Sequence, residues 1–241
     1  ENATVVVTGL DNIVGDVITI NVTGKGSRTV VVNASGMANA TFAGLGAGVY
    51  EIVAIYAGNV TYAANSTTAT LTVVKASSDV IIGVNSTYYV DDTIVVNITR
   101  VNSTGVVTVK INGKEYAVVG NNVTIPNGLA NGTYIVDVVL AGDDNYNGSA
   151  KNATFVVNKL TPSMVVTNTT VGVGDDAVIN VTGPADRNAN IIISVAGVDY
   201  AVNMTNGNAT LTVKGLGAGN HTVVVTYLEN DKYVGAVVSG W

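Results

Sequence analysis

The chain has no cysteine among its 241 residues. Disulfides, thiolate catalysis and Cys-based zinc or iron–sulfur centres are thereby excluded. Charge is scarce as well: 12% of residues are charged, 17 acidic against 11 basic, for a net charge of −6. A surface of that sign repels phosphate backbones, and no basic cluster offsets it, so nucleic acid is not an expected partner. Uninterrupted apolar runs stop after a few residues, as at Val80-Ile81-Ile82, which excludes a bilayer-spanning segment. No basic, apolar, small-residue leader opens the sequence, so a secretory signal is expected to be absent or already removed. Proline occurs three times and histidine once. Sheet edges must therefore be protected by something other than proline, and no cofactor is implied.

What is present is a repeat. Gly48 to Tyr62 reads as a turn, an alternating strand, an amide-bearing turn and a tyrosine. Gly132 to Tyr146 and Gly219 to Tyr233 repeat that order at a spacing of about 84 residues. The spacing predicts three modules, 1–75, 76–159 and 160–241. The joints between them, Lys75-Ala76-Ser77-Ser78 and Asn158-Lys159-Leu160-Thr161-Pro162, are short, which limits their freedom. No helical period persists, and short strands with turn signals between them predict an all-β chain of antiparallel sandwiches, strung end to end into an elongated array.

Period-two alternation carries the strand assignments. Val17 to Thr23 places Ile18, Ile20 and Val22 on one face, with Thr19, Asn21 and Thr23 on the other. Thr93 to Thr99 and Asp176 to Thr182 show the same pattern and are aligned with it. Asn112-Gly113 between alternating strands predicts a type I′ hairpin, and Ala196-Gly197 repeats it. On that alignment the first module lacks about ten residues and is predicted to be one strand short by this hairpin. The third module ends soon after Tyr233, so its closing strand, Ala236 to Trp241, is expected to be cut short or completed by another chain. The pentapeptide Gly44-Leu45-Gly46-Ala47-Gly48 returns at Gly215 to Gly219. A strand rather than a helix follows it, so it reads as a crossover between sheets, with Leu45 or Leu216 plugging the core.

The string Gly-x-Tyr-x-Val-x-x-x-Tyr/Leu-x-Gly-Asp-x-Asn-Tyr, fullest at Gly132 to Tyr146, resembles the bacterial Ig-like repeat found in tandem in large surface proteins. Its Val/Thr/Asn-rich form is similar to adhesin-like proteins of methanogenic archaea. The resemblance implies a secreted cell-surface stalk or adhesin. It also places Tyr50, Tyr134 and His221 at a position resembling the tyrosine corner of Ig-like sandwiches, where a buried ring bonds backbone through its polar tip.

Few residues suggest chemistry. Asp91, Asp92, Asp143 and Asp144 sit in oxygen-rich turns that could hold calcium, while the simpler reading has them capping those turns. A Lys–Asn isopeptide crosslink would need a buried acid beside both partners, which the sequence does not show. Asn-x-Ser/Thr occurs 18 times. The glycosylation candidates are Asn21, Asn39, Asn65, Asn85, Asn97, Asn102, Asn131, Asn147, Asn180 and Asn208. Two readings stay open for them: sugars that solubilise a charge-poor surface, or an unmodified polar face favouring strands. No acid–base pair or nucleophile constellation appears. The expected function is a non-enzymatic, extracellular structural or adhesive segment. A filament subunit joined by strand complementation and a glycan-binding module stand as alternatives. The expected partners are neighbouring modules, like subunits, or surface glycans and proteins.

Overall fold

A computed structural model describes every residue except Arg187. Apart from one 3-10 turn at Asp11–Ile13, its regular structure is strand. The first stretch carries β1 (Ala3–Val7), β2 (Val17–Val22), β3 (Gly26–Val31), β4 (Ala38–Phe42), β5 (Gly48–Tyr56) and β6 (Asn65–Val73). They form the sheets β1-β4 and β3-β2-β5-β6. The second stretch carries β7 (Asp79–Gly83), β8 (Thr87–Tyr89), β9 (Ile94–Val101), β10 (Val107–Ile111), β11 (Lys114–Tyr116), β12 (Asn122–Ile125), β13 (Gly132–Leu140) and β14 (Ser149–Asn158). Their sheets are β12-β9-β7 and β11-β10-β13-β14-β8. The third carries β15 (Val165–Val166), β16 (Ala177–Thr182), β17 (Ala189–Val195), β18 (Val198–Met204), β19 (Asn208–Val213), β20 (Val223–Tyr227) and β21 (Ala236–Gly240). Its sheets are β15-β16-β19 and β18-β17-β20-β21.

The alternation builds the cores. In the first stretch Ile18, Ile20 and Val22 meet Ala38, Ala40 and Phe42 from the facing sheet, with Tyr50, Ile52 and Tyr56 packed against them. In the third, Ile191, Ile193 and Val195 meet Ile179, Val181 and Ala209, and Tyr227 lies fully buried. Burying each of these Ile, Val and Phe side chains contributes roughly 1.5–3 kcal/mol. In the second, Phe155 stacks on Tyr134 at 5.3 Å and meets Tyr88 edge-on at 5.4 Å. These are sandwiches of immunoglobulin type, antiparallel apart from β8, which runs parallel to β14, with a three-stranded sheet facing a sheet of four or five strands in the second and third stretches.

The chain divides into two compact units. One comprises Glu1–Ile81, Ile98–Thr108 and Val138–Lys151, and the other Ile82–Asn97, Val109–Asp137 and Asn152–Trp241.

Three expectations change. First, β2 is not the counterpart of β9 and β16. It pairs with β3 from Val17↔Val31 to Val22↔Gly26, and with β5 from Thr19↔Ile55 to Val22↔Ile52. That is the place β17 holds between β18 and β20. The first stretch therefore has the hairpin that the alignment of its strands with Thr93 to Thr99 and Asp176 to Thr182 left out. β1 pairs with β4 as β16 pairs with β19, and among the described residues no strand flanks β1 as β15 flanks β16. Alternation shows which side chains turn inward, but both sheets of a sandwich present an inward face, so it does not assign a strand to a sheet. Second, Asn21 consequently occupies a different sheet from Asn97 and Asn180. Third, β21 is in place. All five residues of β20, Val223 to Tyr227, pair with Gly240 to Ala236, so the sheet needs no strand from another chain, while the expected shortening stands: β21 has five residues against nine in β6 and ten in β14.

The hairpin turns follow their chemistry. Asn112 and Gly113 have φ of 47° and 81°, and Ala196 and Gly197 have 51° and 81°. Both central positions of a type I′ turn need this left-handed backbone.

Candidate functional site

The features that recur at equivalent places are corners and turns. At each corner a ring tip bonds a carbonyl four residues back. The Tyr50 hydroxyl donates to Gly46 O at 3.0 Å and the Tyr134 hydroxyl to Ala130 O at 2.9 Å. His221 Nε2 lies 2.8 Å from Gly217 O. A carbonyl only accepts, so His221 carries its proton on Nε2. A histidine thus fills a tyrosine's place with the same bond.

The turns share one frame as well. Asn59 Oδ1 accepts the N–H groups of Thr61 and Tyr62, Asp143 Oδ1 those of Asn145 and Tyr146, and Asn230 Oδ1 those of Lys232 and Tyr233. Capping by an Asx side chain fixes the turn, so its outer edge points a defined way.

Two of these turns hold a joint each. In the first compact unit, Ala76 N donates to Asn145 O and Ala76 O accepts from Asn147 N, both at 2.9 Å. Ala47 N donates to Asn145 Oδ1 at 2.9 Å, and Lys75 Nζ reaches Asp143 O at 2.6 Å. In the second unit, Leu160 N donates to Lys232 O and Leu160 O accepts from Val234 N, again both at 2.9 Å. The joint residue is threaded, as a parallel bridge, between the turn's carbonyl and an amide two residues on.

The second joint is the charged one. Lys232 is buried and pairs with Asp91 at 2.9 Å and with Asp186, whose other oxygen accepts from the Tyr233 hydroxyl. The Asp186 carboxylate, then that of Asp91, pushes the Lys232 ammonium well above the ordinary lysine range. Lys232 in turn holds Asp186 below the usual carboxylate range. Lys159 pairs with Glu229 at 2.5 Å and donates to Asn230 O. No sequence signal pointed to Lys232 or Asp186, since the charges that meet lie 46 residues apart.

The acidic calcium candidates are dispersed. Asp143 spends both oxygens on the N–H groups of Thr104, Asn145 and Tyr146 and on the Thr104 hydroxyl, with Thr104 N–H first among the causes holding its carboxyl down to about 2. Asp92 accepts from Tyr89 N, Asp91 pairs with Lys232, and Asp144 is exposed beside Asp143. Among the described residues no group of three or more His, Asp or Glu converges on a point, and no helix is long and apolar enough to cross a membrane.

The sequon asparagines separate by their amide nitrogen, which is the atom a glycan would take. Asn102, Asn131, Asn147 and Asn208 donate from Nδ2 to the carbonyls of Ser77, Val157, Lys75 and Asn206. Asn39, Asn65, Asn85, Asn97 and Asn180 are exposed. Asn65 and Asn180 use their Oδ1, towards Ser66 N and the Thr210 hydroxyl. Asn21 is half-buried and accepts from the Ser27 hydroxyl.

A cleft of about 280 Å³ opens beside the second Gly-Leu-Gly-Ala-Gly loop, walled by Asn168–Val173, Leu216–His221 and the exposed Trp241. The duplicated pentapeptide was the signal for it, read only as a crossover.

No family model and no curated protein matches the chain. Solved structures similar to it include fibronectin(III)-like modules of CbhA from Clostridium thermocellum, at 16% identity over 67% of this chain and 92% of that one, with a TM-score of 0.29. The central fibronectin-III array of RIM-binding protein is 14% identical over 95% and 88%, with a TM-score of 0.29. Extracellular domains 3–5 of Drosophila OTK are 12% identical over 99% and 92%, with a TM-score of 0.31. The likeness is to tandem immunoglobulin- and fibronectin-III-like domains. The fold assignment itself rests on the ladders and cores described above.

Proposed function

We propose that the chain is a non-enzymatic, extracellular structural and adhesive segment of a surface protein, made of modules 1–75, 76–159 and 160–241. The observation that carries this is the repeated joint, in which a linker residue is held by two backbone hydrogen bonds to the next turn. A linker so held transmits load between modules through groups every residue possesses. The sequons support an exposed, glycan-bearing surface, with Asn39, Asn65, Asn85, Asn97 and Asn180 the preferred acceptors.

Single-molecule extension between the termini tests the modular reading. Three separate unfolding events are expected, each releasing roughly 80 residues at about 3.5 Å per residue. One cooperative event would overturn it. Intact mass of the natively produced protein tests glycosylation.

A further inference from the structure

The three hairpins differ at one outward-facing pair. In the first stretch β2 and β3 pair Val17 with Val31, and both are exposed. Thr19 faces Ile55 as Ile192 faces Thr226, so Val17 stands where Asn190 stands in the third stretch. There β17 and β18 pair Asn190 with Asn203, which lie six residues before Ala196 and six after Gly197. In the second stretch the same count from Asn112 and Gly113 reaches Val106 and Val119, both exposed. Two hairpins thus turn valines to water at this place, and the third turns amides.

The amide pair lies in a cleft of about 360 Å³, bounded by residues 188–190, 203–205 and 228–230. That volume is at the small end of ligand pockets. Every wall comes from one sheet and the turn that follows β20. Paired side chains on one face of a ladder stand about 5 Å apart, and each amide offers two N–H donors and an accepting oxygen. Among the described residues, no side-chain hydrogen bond uses the amide of Asn190 or of Asn203.

The other walls narrow the choice of ligand. Leu228 donates its N–H to Asn190 O at 3.1 Å and presents an exposed apolar side chain in the same row. Asn230 is occupied by its own turn and by the Tyr227 hydroxyl. Glu229, the carboxylate at the rim, is paired with Lys159 at 2.5 Å. What is left open is two amides beside one apolar group. An anion would meet no free cation here, and an apolar ligand would strip water from the amides without replacing its hydrogen bonds. A sugar ring has adjacent hydroxyls that both donate and accept, and an apolar C–H face.

We propose that this cleft binds a neutral saccharide, with Asn190 and Asn203 holding adjacent ring hydroxyls and Leu228 against the C–H face. The proposal rests on the adhesive part of the function above and names what is adhered to. Both amides are solvated in the free protein, so each site binds weakly, with a Kd on the order of 1 mM.

The probes are neutral tetrasaccharides of glucose, mannose and N-acetylglucosamine, titrated into the full isotopically labelled chain. The asparagine side-chain NH2 signals are followed by NMR. Saturable shifts at Asn190 and Asn203 are expected with at least one probe. Asn190→Val with Asn203→Val rebuilds the pair of the other hairpins and should weaken binding roughly ten-fold or more. Leu228→Ser, on a different strand, should weaken it roughly three-fold or more. Thermal unfolding of each variant confirms that it is folded. No saturable shift with any probe at about ten times that Kd overturns the proposal. So does binding untouched by both variants, or a preference for a glucuronate tetrasaccharide over the neutral ones. So does a sugar attached to Asn203 of the natively produced chain, since Asn203-Met204-Thr205 is itself a sequon and its glycan would fill the cleft. Three unfolding events on extension with no saccharide shift would refute this site and leave the modular reading standing, whereas one event with the shift would do the reverse.

Discussion

The two joints use one backbone scheme and opposite side-chain chemistry. At Ala76 the turn offers amide and carbonyl groups, and the nearby lysine, Lys75, reaches a main-chain oxygen on the surface. At Leu160 the turn offers a buried lysine between two carboxylates, with a second ion pair at its rim. The second position after the Asx cap decides which. Asn145 brings an acceptor to a loop N–H, and Lys232 brings a cation to Asp91 and Asp186. The lesson is that the bridge fixes the geometry, while one variable residue per turn sets how the joint responds to its medium.

The largest expected contrast comes from deleting the lysine of each joint. Lys232→Ala leaves Asp91 and Asp186 without their shared cation and should cost about 1–2 kcal/mol, kept modest because both acids are partly solvated. Lys75→Ala should cost less than about 0.5 kcal/mol. Equilibrium unfolding in urea measures both, and equal costs would erase the distinction.

The next contrast is in pH. Asp143 titrates at about 2 in the fold against 3.8 ordinarily. Its contribution at the first joint is complete above that ordinary value and is lost as pH falls from 3.8 through about 2. Asp143→Asn keeps an acceptor that does not titrate, so its stability difference from the parent should shrink across that window. Lys232 is shifted upward, so its contribution is whole below the ordinary lysine value of 10.5 and is lost only as pH rises past it. Asp186, held low, adds an acid-side loss to the second joint. Alkaline weakening that disappears in Lys232→Ala is the outcome specific to the second joint, read from thermal unfolding against pH.

The smallest contrast is in salt. Glu229 is well exposed, so raising ionic strength to about 1 M should erode its pair with Lys159 by less than about 0.5 kcal/mol. The first joint should be unaffected. Lys159→Ala with and without salt isolates the effect.

Much of the fold was legible because alternation is a local signal. Ile18, Ile20 and Val22 fall inward, and Asn112-Gly113 turns the chain where its φ requirement predicts. The sheet to which β2 belongs was not legible, because either sheet satisfies the same alternation and the deciding partners, Ile52 to Ile55, lie some thirty residues away. The site divides along the same line. The corner bonds of Tyr50, Tyr134 and His221 span four residues and lie within reach of pattern. The contact of Asn145 with Ala47 spans 98 residues and leaves no periodic trace.

One consequence follows from the threaded linker. Ala76 and Leu160 occupy the same bridge with unlike side chains, since the bonds are made by main-chain atoms alone. A coding segment for one such unit can be duplicated, deleted or recombined beside a stranger and keep this main-chain bridge. Genetic lengthening, one unit at a time, then has only the side-chain contacts of each joint to match anew, such as Lys232 with Asp91 and Asp186.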